Sequence, residues 1–430
     1  MNGMHIQIGL LGCGTVGGGV IELLHKRKQK IAELTGVQAS IKKVLIRDLH
    51  KERDVLLDGE TLTTHADDIL NDPEITIIIE TIGGIEPARS LILQAIEQKK
   101  HVITANKDLI ALHGSEIIEA AKAANVDVYY EAAVGGAIPL IRPLKESLTA
   151  NVITEIKGII NGTTNFILSK MTATGADFSE VLDEAQQLGY AEADPSSDVD
   201  GLDAARKLTI LSTIAFHTKV KLSDVRVTGI REVKADDVRY ANELGYVIKL
   251  LATGTETDDT LSLCVAPTLI PKDHPLAHVS DAYNALYVRG DASGDLMFFG
   301  RGAGSLPTAS AVLGDAIDVF RNLTHRVTGL QDSSYLSEKP VVPDKAAAQP
   351  FYLRFSVQDR TGVFAKIAGL FGEHDINMET VMQKRIRDGS AEIIIITHEV
   401  VPTNIDKLRN ALERLESVIA VHLVMPVERA

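Results

Sequence analysis

The sequence predicts an α/β protein with three parts: a doubly wound parallel sheet, an α+β region, and a small split βαβ module. Three observations predict it. Apolar runs of strand length alternate with helical spacing from His5 to Glu131. After Val134 the alternation gives way to turn chemistry and clustered helices. From Phe351 onward the order reads strand, helix, strand, strand, helix, strand.

His5–Leu11 reads as a buried strand, followed by glycines and a helix over Val16–Lys30. Ile41–Arg47 is a second strand, and Ile75–Glu80 is a continuous apolar run of the parallel-sheet kind. Pro87 starts a helix whose Leu91, Ala95 and Ile96 recur at helical spacing. His101–Thr104 is a strand, Leu109–Ala124 a helix and Asp127–Glu131 a strand. Val152–Ile160 is the next strand, and Asn161-Gly162-Thr163-Thr164-Asn165 is turn chemistry before a helix. Helices follow over Phe178–Leu188 and Gly201–Phe216. Short β-like stretches lie between Arg226 and Phe299, with a helix near Asp236–Leu251. Gly300–Gly304 precedes a helix over Thr308–Leu323, which is expected to fold back onto the first domain. The boundaries expected are 1–133 completed by 305–330, then 134–304, a Pro- and Ala-rich linker over 331–349, and a self-contained tail over 350–430.

The chain has 430 residues, 45% of them apolar, which is enough for several cores. A net charge of −14, few aromatics and no Trp argue against nucleic-acid binding, which needs basic patches and stacking platforms. Cys13 and Cys264 are the only cysteines, so no disulfide framework or metal-spaced Cys/His set is expected. No apolar run reaches membrane length, and the N-terminus lacks a basic leader, so the cytoplasm is the expected compartment.

Gly12-Cys13-Gly14-Thr15-Val16-Gly17 is a GxGxxG between a strand and a helix, a Rossmann-type signature. Backbone N–H groups there can hold a pyrophosphate; Gly14 permits close approach and Gly17 permits helix–strand packing. Arg47-Asp48 closes the second strand. An acid would bind a ribose hydroxyl and an arginine a 2′-phosphate, so NAD and NADP both stay open, with Arg47 tilting toward NADP. Lys107 follows a strand end, where ligands of open α/β sheets sit. Glu192, Asp194, Asp198, Asp200 and Asp203 precede Lys207, and Asp203 and Lys207 stand four apart, on one face of a helix. Such an amine among carboxylates suits an amino-acid-like substrate and one proton transfer; the bland alternative is a surface ion pair. Glu131 precedes irregular backbone through Pro139 whose carbonyls could hold a hard cation or simply form a domain crossover. In the tail, Asp359–Val363 and Asp375–Asn377 could form a small-ligand site between paired modules.

These motifs, in this order, resemble the single-function homoserine dehydrogenases that end in an ACT regulatory domain. The resemblance spans nearly the whole chain and rests on GLLGCGTVG, VITANK, NGTTNFIL, GYAEADPSSDVDGLDAARK, GRGAG and DRTGVFAKIAGLFGEHDIN. It implies reversible oxidation of L-homoserine to L-aspartate 4-semialdehyde with NAD(P), in threonine, methionine and isoleucine biosynthesis. It implies that Gly12, Gly14, Thr15, Val16, Gly17 and Gly304 hold the dinucleotide, and that Lys107 lies beside nicotinamide and substrate. It assigns proton transfer to Lys207, the substrate ammonium to Glu192, the reacting hydroxyl to Asp198 and Asp203, and the pocket wall to Thr163 and Tyr190. It implies a sodium ion on Glu131 and the carbonyls of Val134, Gly136 and Ile138. Arg301 stands where many relatives carry Pro. The resemblance further implies threonine as effector at the ACT module and a homodimer or homotetramer. Two rivals remain: another oxidoreductase of a semialdehyde or hydroxy acid, and a non-enzymatic sensor.

Overall fold

The computed structural model describes residues 4–51, 57, 59–328, 338–342, 348–385 and 389–429. The first stretch holds β1 Met4–Leu11, α1 Thr15–Thr35, β2 Val37–Leu45, β3 Thr61–Thr63, α2 Asp67–Leu70, β4 Ile75–Glu80, α3 Ala88–Glu97, β5 His101–Thr104, α4 Lys107–Ala124 and β6 Val128–Tyr129. Then come β7 Ile153–Ile159, α5 Gly162–Thr174, α6 Phe178–Gln187, α7 Ser196–Val199, α8 Leu202–Ala215, β8 Arg226–Val227 and α9 Ala235–Glu243. They are followed by β9 Tyr246–Thr257, β10 Thr260–Pro271, β11 Tyr283–Gly290, β12 Gly294–Arg301 and α10 Ser305–His325. The tail holds β13 Phe351–Gln358, α11 Val363–Glu373, β14 Met378–Arg385, β15 Ser390–Thr397, α12 Pro402–Glu413 and β16 Val418–Pro426. Two compact units result, residues 1–152, 209–222 and 290–338, and residues 153–208, 223–289 and 339–430.

In the first unit the sheet runs β3-β2-β1-β4-β5-β6, with every pair parallel. The order reverses between β1 and β4, the switch point beside which open α/β sheets bind ligands. Ile6, Ile8, Leu10, Ile77 and Ile79 of the sheet pack with Val20, Ile21 and Leu24 of α1. Helix α10 joins this core through Ala309, Val312, Ala316, Val319 and Phe320, as the apolar face of its sequence requires. The expected strand over Asp127–Glu131 is shorter. It stops at Tyr129 because the Glu131 N–H donates to Asp315 (2.9 Å), and residues 131–133 turn as a 3-10 helix.

The second sheet runs β12-β11-β7-β9-β10-β8. Its strands correct the expectation of short stretches: β9 and β10 each span 12 residues and pair in antiparallel register throughout. The helix expected near Asp236–Leu251 ends at Glu243, because Gly245 at φ +88° breaks it and Val247 and Ile248 begin a strand.

The tail sheet runs β14-β15-β13-β16 and places Leu353, Phe355 and Val357 against Ile367, Phe371 and Leu408 of its helices. The other face of the tail sheet carries a buried ion cluster with α9. Arg354 donates to both Asp237 oxygens (2.6 and 2.9 Å) and to Glu392 (2.8 Å). Tyr352 donates to Asp237 (3.1 Å) and Tyr240 to Glu392 (2.6 Å). Burial pushes the Glu392 carboxyl up, but Tyr240 and Arg354 outweigh it and hold it below its usual value. The expected linker falls largely outside the described residues.

Candidate active site

In the first unit, β1 ends at Leu11 and the chain turns at Gly12, whose φ of +102° favours glycine. The Gly12 N–H donates to the Leu45 carbonyl (3.0 Å), and Thr81 Oγ1 donates to the Gly12 carbonyl (3.0 Å). A Cβ on Gly17 would lie 2.2 Å from the Gly12 carbonyl oxygen, whereas a Cβ on Gly14 would meet nothing within 4 Å. Gly17 therefore closes the strand–helix packing, and Gly14 leaves backbone open where Thr15 and Val16 begin α1. Gly304 precedes α10, and Ser305 Oγ donates to the Thr15 carbonyl (2.8 Å), bringing two helix N-termini together. Such ends favour anions, so the turn fits a pyrophosphate. Arg47 and Asp48 lie past the end of β2, both exposed.

Lys107 opens α4 behind a cap that the sequence reading did not identify. The Asn106 side chain accepts from Leu109 N–H (3.1 Å) and donates to the Gly84 carbonyl (2.6 Å). Asn106 N–H donates to Thr104 Oγ1 (3.0 Å), and that hydroxyl donates to Glu80 (2.5 Å). The fully buried Glu80 also accepts from the N–H groups of Ile82 (2.7 Å) and Gly83 (3.0 Å). One carboxylate thus braces the loops after β4 and β5. In the sequence it is a charge closing the largely isoleucine strand Ile75–Glu80.

Glu131 is buried and accepts backbone N–H from Leu140 (2.6 Å) and Ile141 (2.8 Å) on Oε1 and from Arg142 (2.7 Å) on Oε2. Oε1 is saturated and Oε2 retains one lone pair. A Cβ on Gly136 would lie 2.5 Å from the Gly302 carbonyl, and Ala137 N–H donates to the Arg301 carbonyl (3.1 Å). This holds the Val134–Ile138 loop against 301–302. Burial pushes the Asp315 carboxyl well above its usual range. Among the described residues, no group of three or more His, Cys, Asp or Glu could hold a metal ion.

In the second unit the cluster forms around Asn161, which caps α5. Its Oδ1 accepts Thr164 N–H (2.8 Å), and its Nδ2 donates to Asp198 (2.7 Å) and Asp203 (2.9 Å). Lys207 Nζ donates to the same Asp203 oxygen (2.7 Å) and to the Ile160 carbonyl (2.8 Å). The pair is four residues apart but not a surface bridge: the side chains are 12% and 8% exposed. Burial pushes the Asp198 carboxyl up; Asn161 works against it, Asp203 with it. Thr163 Oγ1 donates to the Tyr190 carbonyl (2.6 Å), and Tyr190 stacks on Phe166 at 4.7 Å.

Of the five carboxylates upstream of Lys207, Asp198 and Asp203 join this hydrogen-bonded cluster. Asp194 accepts Ser196 N–H (3.1 Å) as a local turn, and Asp200 pairs with Arg231. Glu192 is exposed, its backbone carbonyl accepting from Gln186 (2.9 Å). A sequence run cannot tell a carboxylate turned inward from one bound to an arginine elsewhere. Lys249, which the sequence reading passed over, lies buried in β9. It donates to Asn165 (3.0 Å), Ser169 (3.2 Å) and the Val279 carbonyl (2.6 Å), and burial pushes its amine down to about 8.

Family models match most of the chain: homoserine dehydrogenase, NAD binding domain, over residues 12–131, homoserine dehydrogenase over 139–317, and ACT domain over 351–417. The homoserine dehydrogenase of Synechocystis sp. is 48% identical over 99% of both chains. The chain belongs to the homoserine dehydrogenase family. It shares with that family oxidoreductase chemistry on a CH–OH group and a nicotinamide-binding domain. A homoserine dehydrogenase crystal structure from Thiobacillus denitrificans superimposes with a TM-score of 0.94, at 44% identity over 100% of this chain and 99% of that one. A hyperthermophilic archaeal homoserine dehydrogenase in complex with NADPH superimposes at 0.64, 26% identical, over 76% of this chain and 100% of that one. No helix among the described residues is long and apolar enough to cross a membrane.

Proposed function

We propose that the chain interconverts L-homoserine and L-aspartate 4-semialdehyde with NAD(P), preferring NADP, under feedback by threonine at the ACT module. The observation that carries the reading is Lys207: a partly buried amine held by Asp203 and the Ile160 carbonyl. Those two partners take two of the three ammonium protons. The third is the proton that the reaction moves. In reduction Lys207 gives it to the forming alkoxide, and in oxidation neutral Lys207 takes the hydroxyl proton of homoserine. Glu192 binds the substrate ammonium, and Thr163 and Tyr190 wall the pocket. Lys107 adds positive potential that favours the alkoxide. The bound dinucleotide supplies the hydride acceptor and donor. Its pyrophosphate would rest on Gly12–Gly17 and Gly304, with Arg47 taking the 2′-phosphate.

Sodium would sit on the remaining lone pair of Glu131 Oε2 and the carbonyls of Val134, Gly136 and Ile138, an all-oxygen set suited to a hard cation. The domain boundaries proposed remain 1–133 with 305–330, 134–304 and 350–430. A cytoplasmic homodimer or homotetramer fits ACT modules that pair.

Homoserine oxidation followed at the nicotinamide absorbance, with each nucleotide and with and without threonine, tests the reading. Turnover with NADP⁺ above that with NAD⁺, depressed by threonine, is expected. Tight nucleotide binding without turnover would favour a sensor instead.

A further inference from the structure

We propose that Asn161 is a positioning residue for proton transfer, setting the Asp203 carboxylate that in turn aims Lys207. The proposal rests on the reading that Lys207 moves the proton. One side chain here uses its whole hydrogen-bonding capacity. Oδ1 accepts from both Thr164 N–H (2.8 Å) and Thr164 Oγ1 (2.8 Å), while the two Nδ2 protons go to Asp198 (2.7 Å) and Asp203 (2.9 Å). A flipped amide would turn its oxygen toward two carboxylates and its NH₂ toward an N–H, so the network admits one orientation.

The geometry separates this residue from an ordinary helix cap. A cap needs only the Oδ1 contact. The Nδ2 contacts lie on the other side and reach α7 and α8 at once. Asp203 Oδ2 is shared between Asn161 and Lys207, so the amide fixes the oxygen from which the amine hangs. Two neighbouring carboxylates repel, and a neutral double donor lets both stand beside a single ammonium without adding charge.

The charged groups facing the cluster are Asp198 from α7 and Asp203 and Lys207 from α8. The junction between β7 and α5 and the start of α5 contribute neutral groups, the Ile160 carbonyl, Asn161 and Thr163. Arg206 is turned to Ser197 (3.3 Å), and Asp200 is held by Arg231.

Two substitutions keep the cap and remove the donors. Asn161→Asp keeps the shape and adds a third carboxylate; Asn161→Ser is neutral and too short to reach both aspartates. The expected result for Asn161→Ser is a melting temperature close to wild type, unchanged NADPH binding and a kcat for homoserine oxidation about 10–100-fold lower; Asn161→Asp, which sets a third carboxylate against two, should lose kcat as far and also melt lower. The KM for homoserine should stay within about threefold in Asn161→Ser, so the loss falls on kcat, a split that a merely structural defect would not produce. Lys207→Ala run alongside separates the two ideas. If that variant keeps turnover, the proton-transfer reading falls. If it is inactive while both Asn161 variants keep kcat within twofold, the positioning role falls alone. Loss of fold in both Asn161 variants would make the residue structural and also overturn the proposal.

Discussion

The turn at Gly12–Gly17 and the cluster around Lys207 meet different demands with different groups. The turn offers backbone N–H at a helix start, made accessible because Gly14 has no side chain and kept rigid because Gly17 has none either. The Lys207 cluster offers charge: one amine, two carboxylates and an amide drawn from residues 160–207. A backbone-built site depends on shape and a charge-built site on protonation. Substitution and pH should therefore act on them separately.

Lys207→Ala should give the largest effect, a loss of about 10²–10⁴ in kcat with NADPH affinity retained, since it removes a proton carrier and not a nucleotide contact. Comparable loss of nucleotide affinity, read by NADPH fluorescence titration, would break the division. Arg354→Met comes next. It leaves Asp237 and Glu392 buried without their cation, so chemical denaturation should show about 3–5 kcal/mol of lost stability. An unchanged midpoint would mean that the tail does not depend on this cluster for its stability.

Lys249 is a second buried amine, and pH tests it. Its amine sits near 8 in the folded chain, below its ordinary 10.5. Between those values the unfolded chain binds more protons, so stability should rise with pH from about 8 to 10.5, by roughly 3 kcal/mol at most. Denaturation midpoints of wild type minus Lys249→Met across that window should carry the rise, and a flat difference would contradict it. The smallest effects come from the glycines. Gly17→Ala forces a Cβ onto the Gly12 carbonyl and should cost about 1–3 kcal/mol of stability. Gly14→Ala meets no protein atom and should leave the melting temperature near wild type while weakening nucleotide binding. Equal melting temperatures for the two variants would show that the turn is less tightly packed than its geometry indicates.

The first sheet was legible because its strands are buried on both faces and read as unbroken apolar runs; Ile75–Glu80 and His101–Thr104 were placed to the residue. The alternating helices and the tail order were legible for the same periodic reason. Less so was the middle region, where a helix stops at Glu243 and a 12-residue strand starts at Tyr246. At the candidate site, the i,i+4 spacing brought Asp203 to Lys207, but nothing local marked Asn161 as more than a turn residue or Glu80 as more than a strand end. The partners that give them a wider role lie 37–42 residues away for Asn161 and 24 residues away, at Thr104, for Glu80.

By itself the sequence determined what depends on period and on missing atoms: the parallel sheet, the glycine turn, the split βαβ tail, and the family motifs in their order. Packing between distant segments settled which upstream carboxylates join the lysine's cluster, which side chain unites them, and the buried ion cluster on the tail sheet. The reason is physical. Periodicity and glycine act within one element, whereas the charge state and aim of a polar side chain are set by whatever distant segment packs against it.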